Sequence, residues 1–154
     1  MRPDLLVRDA VLTGRTSVLE TWFQTYTSAD RADADARLDQ VGCLALADRP
    51  LSTCSQGERA RVYLARALFG HRELLLFDEP AAGLSPAERR ELVTLLASLP
   101  PHMSYLLIEH DLEIAMRAAT RVTVMHNGRV LKSGTPDEIE NDAQVQAIYM
   151  GGKH

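Results

Sequence analysis

Two adjacent carboxylates, Asp78 and Glu79, offer the clearest chemistry in this sequence. They follow the apolar run Leu74–Phe77, which is typical of a strand covered on both faces, and Pro80 comes next. An Asp at the end of such a strand supplies a hard oxygen ligand for Mg²⁺, directly or through water. A neighbouring Glu can polarise an attacking water molecule. The simpler interpretation is a strand end that happens to be acidic.

His110 comes just after a second apolar run, Tyr105–Ile108. The C-terminal ends of parallel strands open on one edge of a sheet, so we expect His110 and Glu79 to face the same ligand. An imidazole at that edge can donate a hydrogen bond to a phosphoryl oxygen. The alternative is that His110 and Asp111 simply begin a helix.

The segment Ser55-Gln56-Gly57-Glu58 predicts a phosphate site at the start of a helix. The free N–H groups and the positive dipole end of a helix attract anions, and Gly57 would let the backbone approach one closely. The alternative is an ordinary capping box made by Ser55 and Glu58. Glu58 also adds negative charge near a site meant for phosphate.

Short helices are predicted in the first part of the chain, residues 1–50. Leu5–Leu12 is mostly apolar, with Gly14 as its stop, and Ser28 is expected to cap a helix that closes at Gly42. Another helix, capped by Thr16 or Ser17, is predicted from apolar residues at helical spacing: Val18, Leu19, Trp22, Phe23 and Tyr26.

Helices and strands alternate from Ser55 onward, which predicts a small, mostly parallel sheet with flanking helices. A third strand contains Val122 and Val124, and Asn127-Gly128 predicts a hairpin turn after it. The predicted helices are Ser55–Phe69, Pro86–Leu99, Leu112–Ala119 and a last one after Thr135. Three of them have capping-box starts, namely Ser55–Glu58, Ser85–Glu88 and Thr135–Glu138.

Composition narrows the classes of function. The chain has 154 residues, 45% of them hydrophobic and 25% charged, as in an ordinary globular domain. A net charge of −4 without a Lys/Arg cluster argues against nucleic-acid binding. Cys43 and Cys54 are expected to be packed thiols, which suits a reducing cytosol. The polar N-terminus is unlike a signal peptide, and no apolar run approaches the ~20 residues that span a bilayer. We therefore expect no direct membrane insertion.

These elements together resemble the ABC transporter ATPases, strongly over about residues 50–154. Cys54–Glu58 is similar to the family's signature motif, and Arg66-Ala67-Leu68 to the end of the helix that follows it. Leu74–Asp78 is similar to the Walker B strand. Glu79 matches the catalytic glutamate, His110 matches the switch histidine, and the D-loop falls on Ala82, Gly83, Leu84 and Ser85. Departures from the usual pattern are Cys54 for Leu, Gln56 for Gly, Glu58 for Gln and Ser85 for Asp.

The resemblance implies an α/β, incomplete P-loop NTPase (ABC ATPase) fold. Residues 1–50 would be a segment of the helical subdomain, and residues 51–154 the C-terminal part of the catalytic core. Asp78 would help to hold Mg²⁺, Glu79 would polarise water, and His110 would contact the γ-phosphate of ATP. The signature residues Ser55, Gln56, Gly57 and Glu58 would cover the nucleotide of a second ATPase subunit.

The implied function is ATP hydrolysis that powers import of a small solute. The partners would be a transmembrane permease and a second ATPase subunit, with the protein cytoplasmic and peripheral at the inner face of the plasma membrane. Leu84–Arg90 and the tail Gly134–Gly151 look most like ATPases of branched-chain amino acid importers. The first part of the chain resembles other importer subgroups more.

A phosphate-binding P-loop, GxxxxGK[ST], does not occur in these 154 residues. Gly14-Arg15-Thr16-Ser17 has no Lys and no preceding strand, so it is only a superficial echo. We therefore predict that the isolated chain does not hydrolyse ATP. The alternatives are a non-catalytic interaction module, one half of a split ATPase, or an ABC protein of another class, such as a translation factor or a DNA-repair ATPase.

Overall fold

A computed structural model describes residues 5–15, 26–70 and 72–150. The predicted helix carrying Val18, Leu19, Trp22 and Phe23 lies outside the described residues. The helices are α1 Val7–Leu12, α2 Ser28–Gln40, α3 Gln56–Phe69, α4 Pro86–Ala97, α5 Leu112–Ala118, α6 Pro136–Glu140 and α7 Ala143–Val145. The strands are β1 Leu74–Asp78, β2 Ser104–Ile108, β3 Val122–His126 and β4 Arg129–Gly134. No helix in this part of the chain is long and apolar enough to cross a membrane.

Local capping explains where helices α3, α4 and α6 begin. Ser55, Ser85 and Thr135 each accept a hydrogen bond from the backbone N–H three residues on, and the Glu at that position bonds back. The three predicted capping boxes are therefore confirmed. The predicted cap of α2, Ser28, is wrong: Thr27 is the cap, bonded reciprocally to Asp30. Only a cap at Thr27 places an acidic residue three positions on, so that Asp30 can bond back to the Thr27 N–H and complete a capping box.

The first three helices enclose one apolar core. Its members come from both sides of residue 50, so the boundary between residues 1–50 and 51–154 stays a prediction. Both cysteines are buried in this core, as expected, and burial raises the pKa of the Cys43 thiol. Residues fully removed from solvent include Val7, Val11, Leu12, Leu38, Cys43 and Val62.

The strands form two separate two-stranded sheets within the described residues. β1 and β2 pair in parallel, with Leu76 opposite Leu106. β3 pairs with β4 in an antiparallel hairpin, and its turn uses left-handed Asn127 (φ 48°) and Gly128 (φ 73°) as predicted. The α/β class is therefore as expected, but the third strand does not extend the parallel sheet.

The burial predicted for β1 and β2 is wrong on one face. Leu74, Leu76, Leu106 and Ile108 are 67%, 64%, 58% and 48% exposed. They alternate along their strands and share one face, while Leu75 packs on the other side. Helices among the described residues cover only that second side, where Leu92, Leu96 and Ile114 form a second core.

Candidate functional site

The ends of β1 and β2 bring Glu79 and His110 together. The strands run parallel with Asp78 opposite Ile108, and the Glu79 N–H donates to the Ile108 carbonyl at 2.9 Å. His110 Nδ1 lies 3.4 Å from Glu79 Oε1, with 73% and 54% of the two side chains exposed. The pair is therefore adjacent and open to a ligand, while its chemical role stays a prediction.

Glu79 sits in a backbone conformation that few residues other than glycine adopt, with φ at 45°. The carbonyl of Glu79 accepts a hydrogen bond from the Ala82 N–H at 3.0 Å. The next turn is held by Glu109, whose Oε1 accepts from the Ala81 N–H at 3.0 Å. This bend turns the chain sharply from β1 into the predicted D-loop and leaves the Glu79 carboxylate at the sheet edge.

Asp78 ends β1 on the same face as the exposed Leu74 and Leu76, and it is exposed too. Among residues 5–15, 26–70 and 72–150, no three His, Cys, Asp or Glu side chains cluster closely enough to hold a metal by themselves. Mg²⁺ commonly takes one or two protein carboxylates and completes its shell with water and phosphate oxygens. Asp78 therefore fits a metal site that is shared with a nucleotide.

The predicted signature segment begins α3. Ser55 Oγ accepts from the Glu58 N–H at 3.1 Å, and Glu58 Oε2 accepts from the Ser55 N–H at 2.7 Å. The capping alternative is thus present, and it uses the N–H of Glu58. Ser55 and Gln56 are exposed, whereas Gly57 is buried.

The predicted D-loop connects Glu79 to helix α4. Gly83 takes a left-handed φ of 74°, and Leu84 is only 6% exposed. Ser85 caps α4, and hydrogen bonds from Ser85 hold the pKa of the Glu88 carboxyl below its usual range, with a smaller contribution from Gly57. A loop fixed at both ends thus separates the strand end from the helix.

Glu109 and Arg89 are positioning residues that no sequence pattern identified. Glu109 holds the turn at Ala81, 28 residues away. Arg89 Nε donates to the Leu84 carbonyl at 3.1 Å, and its Nη1 pairs with Asp111 at 2.7 Å. The contacts of Glu109 with Ala81 and of Arg89 with Asp111 span 28 and 22 residues, so spacing along the chain could not reveal them. The only available signal was the position of Glu109 between an apolar strand and His110.

The signature segment does not contact the Glu79–His110 pair in the contacts described above. Gln56 approaches the D-loop, where a β-carbon on Gly83 would lie 4.0 Å from Gln56 Cγ. A groove of roughly 510 Å³ among α2, α3 and α4 is lined by none of the predicted site residues. The chemistry predicted from sequence therefore concentrates at the sheet edge and not in that groove.

Comparisons with known proteins identify similar sequences. The family described as "ABC transporter" matches residues 4–82. The chain is 40% identical over 116 residues to the high-affinity branched-chain amino acid transport ATP-binding protein LivG of Escherichia coli, an alignment covering 74% of this chain and 46% of LivG. It is 38% identical over 152 residues to the phosphonates import ATP-binding protein PhnC of Bordetella parapertussis, covering 96% of this chain and 59% of PhnC. The chain thus spans about half the length of these relatives.

Solved structures share the fold. A metal-chelate type ABC transporter in an inward-facing conformation matches with a TM-score of 0.84 at 24% identity, over 98% of this chain and 60% of that one. The protein cbiO1 from Clostridium perfringens, part of the transporter complex cbiONQ, matches with a TM-score of 0.77 at 27% identity, over 94% and 56%. These matches confirm the predicted fold class.

Proposed function

Because the chain belongs to the ABC transporter family, we propose that it is part of an ATP-binding and ATP-hydrolysing subunit that powers import of a small solute. The observation that carries this proposal is the exposed Glu79–His110 pair, 3.4 Å apart, at the edge of the sheet where Asp78 ends β1. A carboxylate for metal, a carboxylate for water and an imidazole for phosphate converge there.

Each residue of this edge has a distinct role in the proposal. Asp78 is the protein ligand for Mg²⁺, which neutralises charge on the phosphates when bound. Glu79 orients and polarises the attacking water, and its exposed carboxylate is free to reach a water molecule. His110 donates a hydrogen bond to the γ-phosphate from beside Glu79. The positive φ of Glu79 is the kind of backbone strain that accumulates at functional sites.

The signature segment acts on a different nucleotide in this proposal. Ser55 and Gly57, with Gln56 and Glu58 around them, contact ATP held by a second ATPase subunit. The exposure of Ser55 and Gln56 supports this role, because a partner can reach them. The D-loop beside Gln56 lies at the same interface, which would couple the two subunits.

The phosphates of ATP require a P-loop, and we propose that polypeptide outside these 154 residues supplies it. Leu74, Leu76, Leu106 and Ile108 form an exposed apolar face that leads to Asp78. A P-loop-bearing segment packed on this face would bury these four large side chains. It would also bring the phosphates of its bound ATP close to Asp78. Burial of such side chains stabilises by about 1.5–3 kcal/mol each.

The remaining proposals concern partners and solute. We propose that a transmembrane permease holds the subunit at the cytoplasmic face of the plasma membrane. Similarity to LivG makes branched-chain amino acids the first solutes to test, and similarity to PhnC makes phosphonates the matched alternative. Uptake of labelled leucine and of a labelled phosphonate, by cells with and without the gene, separates the two. Loss of neither uptake would contradict both assignments.

Replacement of Glu79 by Gln tests the proposed chemistry in a P-loop-complete protein. The change keeps the shape but removes the carboxylate, so we expect turnover to fall ~10²–10⁴-fold while ATP binding persists. Asp78→Asn should weaken Mg²⁺-dependent nucleotide binding as well. Steady-state turnover and nucleotide affinity, measured on both variants, distinguish the roles. Near-normal turnover of Glu79→Gln would show that Glu79 is only a strand-end residue.

The 154-residue chain alone is expected to hydrolyse ATP no faster than a buffer blank, because it has no P-loop of its own. The measurement is phosphate release with Mg²⁺, before and after addition of a P-loop-bearing polypeptide from a relative. Robust turnover by the purified chain alone would contradict the prediction.

A further inference from the structure

Glu88 lies between the two segments that the proposed function assigns to the subunit interface. It is in the first turn of α4, and its Oε2 accepts a hydrogen bond from the Ser85 N–H at 2.8 Å. The other carboxylate oxygen points toward the start of α3, against Gly57. One side chain therefore contacts both the D-loop and the signature segment.

Gly57 leaves the space that this carboxylate occupies. A β-carbon at position 57 would lie 2.1 Å from Glu88 Oε1, 2.6 Å from Cδ and 2.9 Å from Cγ. These distances are well inside van der Waals contact, so any larger residue would displace the Glu88 carboxylate from this position and break its bond to the Ser85 N–H. Gly57 does not have the positive φ found at Gly42, Gly83 and Gly128, so backbone conformation does not require glycine there.

The packing around this contact is tight. Gly57, Ala60, Leu84, Glu88 and Leu92 surround a cavity of only about 10 Å³, so little empty space remains between the two helices here. A glycine within a helix is less stable than an alanine, so the contact offers a reason for keeping it. Arg61 and Glu91 form an ion pair between the same two helices, one turn further on.

The electrostatics of the contact favour an ionised carboxylate. Glu88 lies at the N-terminal ends of both α3 and α4, where backbone N–H groups and helix dipoles attract negative charge. Hydrogen bonds from Ser85 hold the pKa of Glu88 below its usual range, with smaller contributions from the charge of Arg61 and then from the backbone of Gly57. The carboxylate thus accepts a hydrogen bond from the Ser85 N–H of one segment and lies against Gly57 of the other.

We propose that Glu88 is a positioning residue that holds the signature segment (residues 55–58) against the D-loop (residues 82–85), and that Gly57 is a glycine because the Glu88 carboxylate occupies the place of its side chain. The effect of this contact on turnover rests on the proposed function, in which both segments must reach the nucleotide of the second ATPase subunit in a fixed relative position. The contact itself does not depend on that function.

Thermal unfolding of the chain tests the contact without any assay of activity. Gly57→Ala is expected to lower Tm by roughly 5 °C, the order expected for a steric conflict in a domain of this size. Glu88→Ala removes the obstacle, so the double variant Gly57→Ala/Glu88→Ala should lose clearly less than the sum of the two single losses. Additive losses would overturn the proposal, because they would mean that the two positions do not compete for space.

Turnover of the P-loop-complete transporter ATPase tests positioning against a merely structural role. Glu88→Ala should lower kcat at least 10-fold with KM for ATP changed less than about 3-fold, because the residue orders the interface and touches no nucleotide. Glu88→Asp keeps the charge but has a shorter side chain. In the Gly57→Ala variant it should make room for the new methyl group and raise kcat, whereas in the chain with Gly57 it should not raise kcat. Unchanged kcat in folded Glu88→Ala would overturn the proposed coupling.

Glu138→Ala is the matched control, because Glu138 closes the same capping box at Thr135 and contacts no predicted site residue. It should lower Tm but leave kcat unchanged. Glu79→Gln, run in parallel, separates the two proposals. If Glu79→Gln abolishes turnover and Glu88→Ala does not, only the positioning role fails. If Glu79→Gln also leaves turnover intact, the proposed chemistry fails, and the unfolding measurements still decide the Gly57–Glu88 contact.

Discussion

Apolar side chains are buried differently in two regions of the molecule. One region is formed by helices α1, α2 and α3, and the other is the parallel sheet of β1 and β2. The helices cover one another, so Leu38 and Val62 have no exposed surface. The sheet covers one face with α4 and α5 and leaves leucines such as Leu76 mostly exposed on the other. The exposed face leads directly to Asp78, Glu79 and His110. Among the described residues, the region with the proposed chemistry is therefore the one with an open apolar face.

Because of this difference, we expect substitutions in the two regions to change different properties of the protein. Substitutions in the helical region should act on folding, because its core is closed. Substitutions on the exposed sheet face should act on association, because little in the described structure packs there. Three substitutions test this division, in order of decreasing effect on the isolated chain.

Leu38→Ala should have the largest effect. The side chain is completely buried in the first core, so truncation should cost about 2–5 kcal/mol of unfolding free energy from lost burial and the cavity left behind. Urea denaturation followed by circular dichroism measures it. Leu44→Ala, in the same region but 41% exposed, is the matched control and should cost much less. Equal losses would mean that this core is not closed.

Gly14→Ala should have an intermediate effect. A β-carbon there would lie 2.1 Å from the Arg66 carbonyl oxygen of α3, so α1 and α3 would have to separate. Overpacking of this kind typically costs about 1–3 kcal/mol, read from the same denaturation experiment. Gly42→Asn is the control, because space around Gly42 is open and Asn tolerates its left-handed φ of 68°. A harmless Gly14→Ala would contradict close packing of these helices.

Leu76→Ala should have the smallest effect in the isolated chain, within about 0.5 kcal/mol, because 64% of the residue is exposed. With a P-loop-bearing segment packed on the face, the same change should cost about 2 kcal/mol or more. Unfolding measured with and without that segment gives both values. The same small loss in both states would show that the exposed face is not where the segment packs.

Most features that depend on contacts between residues close in sequence could be predicted, and most features that depend on distant contacts could not. The capping boxes at Ser55, Ser85 and Thr135 and the turn at Asn127-Gly128 were predicted because their contacts span only a few residues. The Ser28 cap is wrong because Thr and Ser both suit an N-cap, and only Thr27 has an acidic residue, Asp30, in position to bond back. The adjacency of Glu79 and His110 followed from a rule about parallel strands, which fixes where their ends meet.

Burial and long-range contacts were decided by the tertiary structure. Apolar strand sequences look the same whether one face or both are covered, so the exposure of Leu76 and Leu106 was hidden in the sequence. Gly57 predicted a close approach of an anion, but only the fold shows that a carboxylate 31 positions later, Glu88, fills the adjacent space. The sequence by itself determined the local elements and the residues able to do chemistry, because those depend on short-range geometry and residue type. Which faces are closed, and which distant side chains meet, depends on how the elements pack.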